Sequence, residues 1–187
     1  TAQDYGNLQN ALSGYSYRPV GPAFMSGRIA DIAIDSNNEN VWYVAVGSGG
    51  VWKTKNAGTT WMPITDNMPF YSTGSITIDP NDSSRIWVGS GENVAGRHVG
   101  IGHGIYLSKD SGSTWDDMGL NKSEHISKII VHPDNSDIIW VASQGPLWNS
   151  GGDRGLFMST DGGNTWSNKL YINEWTGVTD IIIDPTN

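Results

Sequence analysis

An eight-residue box occurs three times: Thr54-Lys55-Asn56-Ala57-Gly58-Thr59-Thr60-Trp61, Ser108-Lys109-Asp110-Ser111-Gly112-Ser113-Thr114-Trp115, and Ser159-Thr160-Asp161-Gly162-Gly163-Asn164-Thr165-Trp166. The copies begin 54 and 51 residues apart, which marks a chain built by repeating one supersecondary unit. Each part of the box has a local task. The Asp, or Asn in the first copy, accepts backbone N–H bonds within a turn. The Gly takes a positive φ, and the Trp covers an apolar layer. Asn56, Gly58, Trp61, Asp110, Gly112, Trp115, Asp161, Gly163 and Trp166 are therefore read as structural.

The rest of the unit reads as strands. An apolar run ends in Asp-Pro or a variant: Ile32–Asp35, Ile76–Pro80, Ile129–Pro133 and Ile181–Pro185. His132 stands where the other runs have Asp, and is read as a turn substitution. A second, aromatic-bearing run follows, with Trp42, Trp87 and Trp140 expected at one repeat position as packing residues. Then comes a third run opening on Gly50, Gly104 or Gly155, the box, and a Trp-led fourth strand. Four short strands per unit, many turn residues and few helix formers predict an all-β chain. With 9 Trp, 7 Tyr and only 16% charged residues, the chain has the means to order itself.

Composition excludes several chemistries. There is no cysteine, hence no disulfide framework, thiolate nucleophile or zinc–thiolate site. The net charge of −8 argues against a nucleic-acid surface. No apolar run is long enough for a transmembrane segment.

The S-x-D-x-G-x-T-W box resembles the Asp-box, or BNR repeat, of sialidase-like and sortilin-like β-propellers. Gly21-Pro22-Ala23-Phe24-Met25-Ser26-Gly27-Arg28-Ile29 is similar to the opening of the first blade in large secreted bacterial BNR/sortilin-N-terminal-like proteins, many of them labelled glycosyl hydrolases from the repeat alone. The resemblance covers roughly residues 15–187. It implies a β-propeller of four-stranded blades, and a secreted or cell-surface bacterial protein. The arginine-bearing F/Y-R-I-P segment of sialidases is not matched by Tyr17-Arg18-Pro19-Val20, so sialidase chemistry is not implied.

Within that frame, residues 28–64, 74–118 and 126–170 are expected blades, and 178–184 the first strand of the next. Residues 1–14 read as a leader or surface arm, and 15–187 as the N-terminal part of the propeller. Trp61 precedes Asp79 by 18 residues and Trp166 precedes Asp184 by 18; Tyr17 precedes Asp35 by the same 18. Residues 15–20 are therefore expected to supply the fourth strand of the last blade. About three and a half blades make an incomplete ring, to be completed by the remainder of the same propeller or by other chains.

Topology places the boxes on one face and the loops after second and fourth strands on the other, around the channel mouth. The long insertions fall at that mouth, in 91–103 and 144–154. Ligand-binding candidates there are Arg28, Glu92, Arg97, His98, His103, Glu124, His125, Trp148, Arg154 and Trp175. Glu92 and Glu174 are weak catalytic candidates, because paired carboxylates cleave glycosidic bonds. Carboxylate and imidazole in one loop suit proton transfer, but their spacing matches no metal motif. Trp148 and Trp175 suit the apolar faces of sugars, a peptide, or loop packing. No cofactor is expected; Asp82 and Asp134 could bind Ca²⁺, with solvated turn carboxylates as the simpler reading.

The leading expectation is a binding scaffold for a protein or glycan, rather than an enzyme. Two alternatives stand beside it. One is a glycoside hydrolase-like glycan-processing enzyme with carboxylates partly outside this segment. The other is a structural subunit of a surface assembly.

Overall fold

The computed structural model describes residues 28–93 and 99–184. The leader 1–14, the segment 15–20, Arg97 and His98 lie outside the described residues.

The fold is all-β. The first sheet contains β1 (Ile29–Ile34), β2 (Trp42–Val46), β3 (Gly50–Thr54) and β4 (Met62–Pro63). The second contains β5 (Thr73–Asp79), β6 (Asp82–Ser90), β7 (Ile105–Ser108) and β8 (Asp116–Asp117). The third contains β9 (Ile126–His132), β10 (Asn135–Ser143), β11 (Gly155–Ser159) and β12 (Ser167–Leu170). Each sheet is an antiparallel meander in chain order. Residues 178–184, expected as a further first strand, form no ladder among the described residues. No second strand lies beside them there. Val178 N bonds Ser143 O at 3.0 Å, and Ile181–Ile183 line a hollow with Ile130, Trp140 and Leu156.

The sheets stack face to face, and the core lies in the two seams between them. One seam joins Tyr43, Ala45 and Val51 of the first sheet to Ile76, Ile86, Val88 and Tyr106 of the second. The other joins Trp87, Ile105 and Leu107 of the second to Ile129, Val131, Ile139, Val141 and Phe157 of the third. Period-2 alternation splits the strands of the second sheet between the two seams, and each large side chain so buried contributes about 1.5–3 kcal/mol.

Register corrects one expectation. Trp42 pairs with Thr54, the first residue of its box. The residues that pair with the first residues of the other boxes are Ile86 and Ile139. Trp87 and Trp140 are thus equivalent to Tyr43, and Trp42 sits one residue out of step. A one-residue offset moves a side chain to the opposite face. Tyr43 is buried in the first seam, whereas Trp42 lies on the free face of the first sheet with Trp52 and Trp61.

The boxes repeat their bonds almost atom for atom. Ser108 Oγ accepts from Gly112 N at 2.8 Å, and Asp110 Oδ1 accepts from Ser113 N and Thr114 N at 2.9 and 2.8 Å. Ser159 Oγ and Asp161 Oδ1 accept in the same way from Gly163 N and Thr165 N. Thr54 Oγ1 and Asn56 Oδ1 do so from Gly58 N and Thr60 N. The residue before each box glycine is also left-handed: Ala57, Ser111 and Gly162 have φ of 50, 59 and 70°. Its N–H binds the chain at the entry to the second strand, at the Asn40, Ser84 and Asp137 carbonyls, which puts the boxes and the turns between first and second strands on one face. His132 does there what Asp does elsewhere. Its Nδ1 accepts from Asp134 N at 3.0 Å, as Asp35 and Asp79 carboxylates accept from Asn37 N and Asn81 N.

The innermost strands of all three sheets meet at Asp31. Its Oδ2 accepts from Ile76 N at 3.2 Å and faces Lys128 Nζ at 3.5 Å. The outermost strands are blunted as edges: Pro63 lacks an N–H, and Asp116 and Asp117 are exposed charges.

Candidate functional site at the channel mouth

The face opposite the boxes is built from unequal loops. The first sheet turns from β2 to β3 through Gly47–Gly49 alone, whereas the second and third insert 91–104 and 144–154. A low rim therefore lies over the first sheet beside two tall loops.

Buried polar groups link these loops in series. One Nη of Arg28 lies 2.6 Å from both carboxylate oxygens of Glu92. Ser48 Oγ and Gly100 N complete the donors to that carboxylate, at 3.2 and 3.1 Å. Gly47 leaves the room for this, since a Cβ there would lie 2.5 Å from Glu92 Oε1. The Glu92 carbonyl faces His125 Nδ1 at 2.8 Å, and Gln144 Nε2 donates to the Asn93 carbonyl at 3.0 Å. Burial depresses the His125 pKa below the ordinary imidazole range, the charged form being the harder to desolvate.

Arg154 closes the series. It is buried, and its Nε, Nη1 and Nη2 donate to five carbonyls: Gly151, Gln144, Trp175, Pro146 and Asn149, at 2.6–3.2 Å. Those five bonds use every donor of the guanidinium. They fix the 144–154 loop and tie it to the 171–177 connection, where Gly151 N also donates to the Glu174 carbonyl at 2.8 Å. Ser143 Oγ and Lys122 N bind Asp153 from the side.

The sequence candidates therefore divide. Glu92, His125 and Arg154 are buried and committed to neighbouring loops. They hold the mouth in shape. Arg28 lines an open cleft with Ile29, Ala30, Gly47, Glu92 and Asn93. Glu124 is half-buried with φ of 63°, and its carbonyl accepts Gly102 N at 2.8 Å. His103 and Glu174 are exposed. Trp148 and Trp175 are 68% and 62% exposed, on the two segments that Arg154 joins. Sequence reasoning did not single out Tyr171 and Ile172, 59% and 60% exposed beside Trp175. Their signal is an aromatic or aliphatic residue in a connection with no seam to enter. Among the described residues, no group of three or more His, Asp or Glu is placed to hold a metal ion. Asp82 accepts from Ser84 N and Ser84 Oγ, which fills the turn role. No described helix is long and apolar enough to cross a membrane.

No family model matches the chain. An oligoxyloglucan-reducing end-specific xyloglucanase of Emericella nidulans is 25% identical over 173 residues, covering 82% of this chain and 19% of that protein. A xyloglucanase of Hypocrea jecorina is 26% identical over 196 residues, covering 97% and 22%. The chain thus spans about a fifth of the length of these curated relatives. Among solved structures, an ancestral GH74 enzyme superposes with a TM-score of 0.64 at 22% identity, over 83% of this chain and 20% of that one. YCF48 from Cyanidioschyzon merolae gives 0.54 at 15%, over 81% and 40%. A chain of a nidogen/laminin complex gives 0.54 at 16%, over 74% and 46%. These likenesses show a β-propeller fold.

Proposed function

We propose that this chain is a section of a glycan-processing β-propeller, glycoside hydrolase-like, whose mouth here supplies the glycan-contacting surface. The observation that carries this reading is the pair Trp148 and Trp175, exposed yet held by Arg154. An exposed indole carried on backbone that is already held stacks on the C–H face of a sugar without that backbone having to be ordered first, which reduces the entropic cost of binding. The xyloglucanases among its relatives favour a neutral β-glucan over a charged ligand. A net charge of −8 also disfavours acidic polymers.

Cleavage needs a pair of carboxylates flanking the bond, about 5–5.5 Å apart for retention or 6.5–9.5 Å for inversion. Glu92 is a poor member of such a pair, because both its oxygens are engaged by Arg28, Ser48 and Gly100. Glu174 is exposed and remains a candidate. The second carboxylate is assigned to residues outside the described ones. The box geometry supports membership among Asp-box (BNR) propellers. A polysaccharide substrate fits an extracellular site of action. No cofactor is needed for this chemistry.

The test is retardation of the protein in gels containing xyloglucan, with reducing-end release measured on the polypeptide as its source makes it. Retardation with product release is the expected result. Retardation without release, with Glu174→Gln unchanged, would favour the glycan scaffold instead. Neither retardation nor release on xyloglucan and other β-glucans would overturn the proposal. The protein-binding scaffold draws its support from the nidogen/laminin likeness.

A further inference from the structure

The three connections from fourth to first strands are covered unequally. The second is closed by the 144–154 loop: Lys122 N donates to the Asp153 carboxylate at 3.0 Å, and Asp153 N donates to the Lys122 carbonyl at 3.2 Å. The third is held by the same loop, through Arg154 and Gly151. The first, between β4 and β5, meets the 91–104 loop at Ser72, whose carbonyl accepts from Gly91 N at 2.8 Å. Along the rest of that connection, on the low rim, lies an open hollow of about 340 Å³.

The hollow is preformed. Gly49 N and Gly50 N both donate to the Tyr71 carbonyl, at 3.1 and 2.9 Å, and Met68 N donates to the Thr65 carbonyl at 3.0 Å. Thr65 Oγ1 accepts from Val51 N at 2.8 Å, and the Phe70 ring lies 4.6 Å from the Tyr106 ring of the second sheet. The β2–β3 turn brings no side chain into the space. Gly49 and Gly50 line it, and a Cβ on Gly50, where φ is 65°, would lie 2.4 Å from Thr65 Oγ1.

Its lining has two chemical parts. Met68, Pro69 and Phe70 give an apolar wall, and Tyr71 stands at the lip, 68% exposed. Asp66 supplies the charge, on an exposed side chain. Its carboxylate has no hydrogen-bond or ion-pair partner among the described residues. Asp31 and Asp35 of the same unit are engaged, by Ile76 N and Lys128 and by Asn37 N.

An apolar wall, an open aromatic ring and an unpaired carboxylate suit a ligand that is apolar along its length and positively charged at its end. Among protein side chains arginine meets all three. Its stem lies along apolar surface, its guanidinium stacks on an aromatic ring, and its fork of donors matches a carboxylate. A net charge of −8 attracts a basic partner at longer range.

We propose that the hollow on the low rim is a docking site for an arginine side chain presented by a protein or peptide partner. The stem lies against Met68 and Pro69, and the guanidinium stacks on the Tyr71 ring and donates to the Asp66 carboxylate. This inference does not rest on the glycan reading and uses none of the residues assigned to it.

Methyl NMR tests it in the full chain, with Met68 as reporter and its signal assigned from Met68→Leu. The probes are the N-acetyl amides of arginine and of citrulline, which share a shape and differ in charge. The expected result is a saturable shift of the Met68 methyl with the arginine probe, at a Kd of about 1–10 mM. The citrulline probe is expected to bind about fivefold more weakly. Asp66→Asn and Tyr71→Ala should each reduce that preference about two- to threefold, Tyr71→Phe should keep it, and the double variant Asp66→Asn with Tyr71→Ala should lose it. No saturable Met68 shift with the arginine probe at about 0.1 M overturns the proposal. So does citrulline binding as tightly as arginine, or a preference that survives the double variant. A Met68 shift with xyloglucan oligosaccharides and none with arginine overturns it in favour of a sugar.

Discussion

The two faces of this molecule are built by opposite rules. On the box face, three copies of one turn make the same bonds with Thr or Ser, Asn or Asp, and Gly in fixed places. At the mouth one backbone bond repeats, from Gly47, Gly91 and Gln144 N to the Arg28, Ser72 and His125 carbonyls, but the side-chain bonds differ from sheet to sheet: Arg28 with Glu92, His125 with the Glu92 carbonyl, Gln144 with Asn93 and Arg154 with five carbonyls each occur once. A contact that repeats with the unit serves what every unit needs, namely a locked strand pair and a closed seam. A contact that occurs once serves something particular to its place. The comparison supports the site proposed at the mouth without appeal to any individual residue's chemistry, in keeping with variable loops on a rigid scaffold.

Substitutions can break this comparison. The largest effect is expected at Gly163, where φ is 89° and a Cβ would lie 2.6 Å from the buried Trp87 ring. Gly163→Ala is expected to cost about 3–4 kcal/mol in chemical denaturation. Gly151, on the mouth, has a φ of 80° but no atom within 4 Å of a Cβ. Gly151→Ala should cost only about 1 kcal/mol, the backbone penalty alone. Equal losses would mean that the faces do not differ in packing.

Arg154 comes next. Arg154→Ala strands five carbonyls and should cost about 2–3 kcal/mol. It should also raise hydrogen exchange in both 144–154 and 171–177, because one guanidinium holds both. A change confined to 144–154 would show that the two segments are held separately.

Trp148→Ala and Trp175→Ala sharpen the contrast from the other side. Being exposed, each should change stability by less than about 0.5 kcal/mol. Each should weaken β-glucan affinity about tenfold, equivalent to about 1.4 kcal/mol. Stability loss without affinity loss would return them to loop packing.

Acid should distinguish the boxes among themselves. The Thr114 hydroxyl, with backbone N–H groups and Ser108, holds the Asp110 pKa down to about 2, and Thr165 depresses Asp161 likewise. A depressed carboxylate adds stability that is fully present above its unfolded pKa, about 3.9, and is lost as pH falls through its folded value. The second box should therefore lose stability progressively from about pH 4 toward pH 2, and the third should lose it in the same direction as pH falls below the ordinary carboxylate range. The first box, with Asn56, should be indifferent. An acid titration in which Asp110→Asn and Asp161→Asn leave the low-pH loss unchanged would refute this assignment. This is the smallest of the expected effects, since Asp110 is exposed and Asp161 only partly buried.

Much of the fold was legible because its signals are local. The box, the strand-ending Asp and even His132 act within a few residues of themselves, so their tasks could be read along the chain. The misplacement of Trp42 shows the limit of that reading. A strand's facing depends on which partner residue it meets, and the pairing with Thr54 is set by the β2–β3 turn, not by the aromatic itself. At the mouth the sequence supplied the right neighbourhood but not the roles. Glu92, His125 and Arg154 looked like ligand groups because charged and polar side chains are usually exposed. Burial by loops from other sheets made them braces instead.

By itself, then, the sequence determined the repeating unit, its four strands and the side on which the boxes lie, since these depend on periodicity and turn chemistry alone. Only the tertiary structure decided which residues meet across units: Asp31 with Lys128 in the innermost strands, Trp115 with Ile64, and Arg154 with Trp175. Those meetings depend on how the sheets stack and how far each loop reaches, and no local preference encodes either.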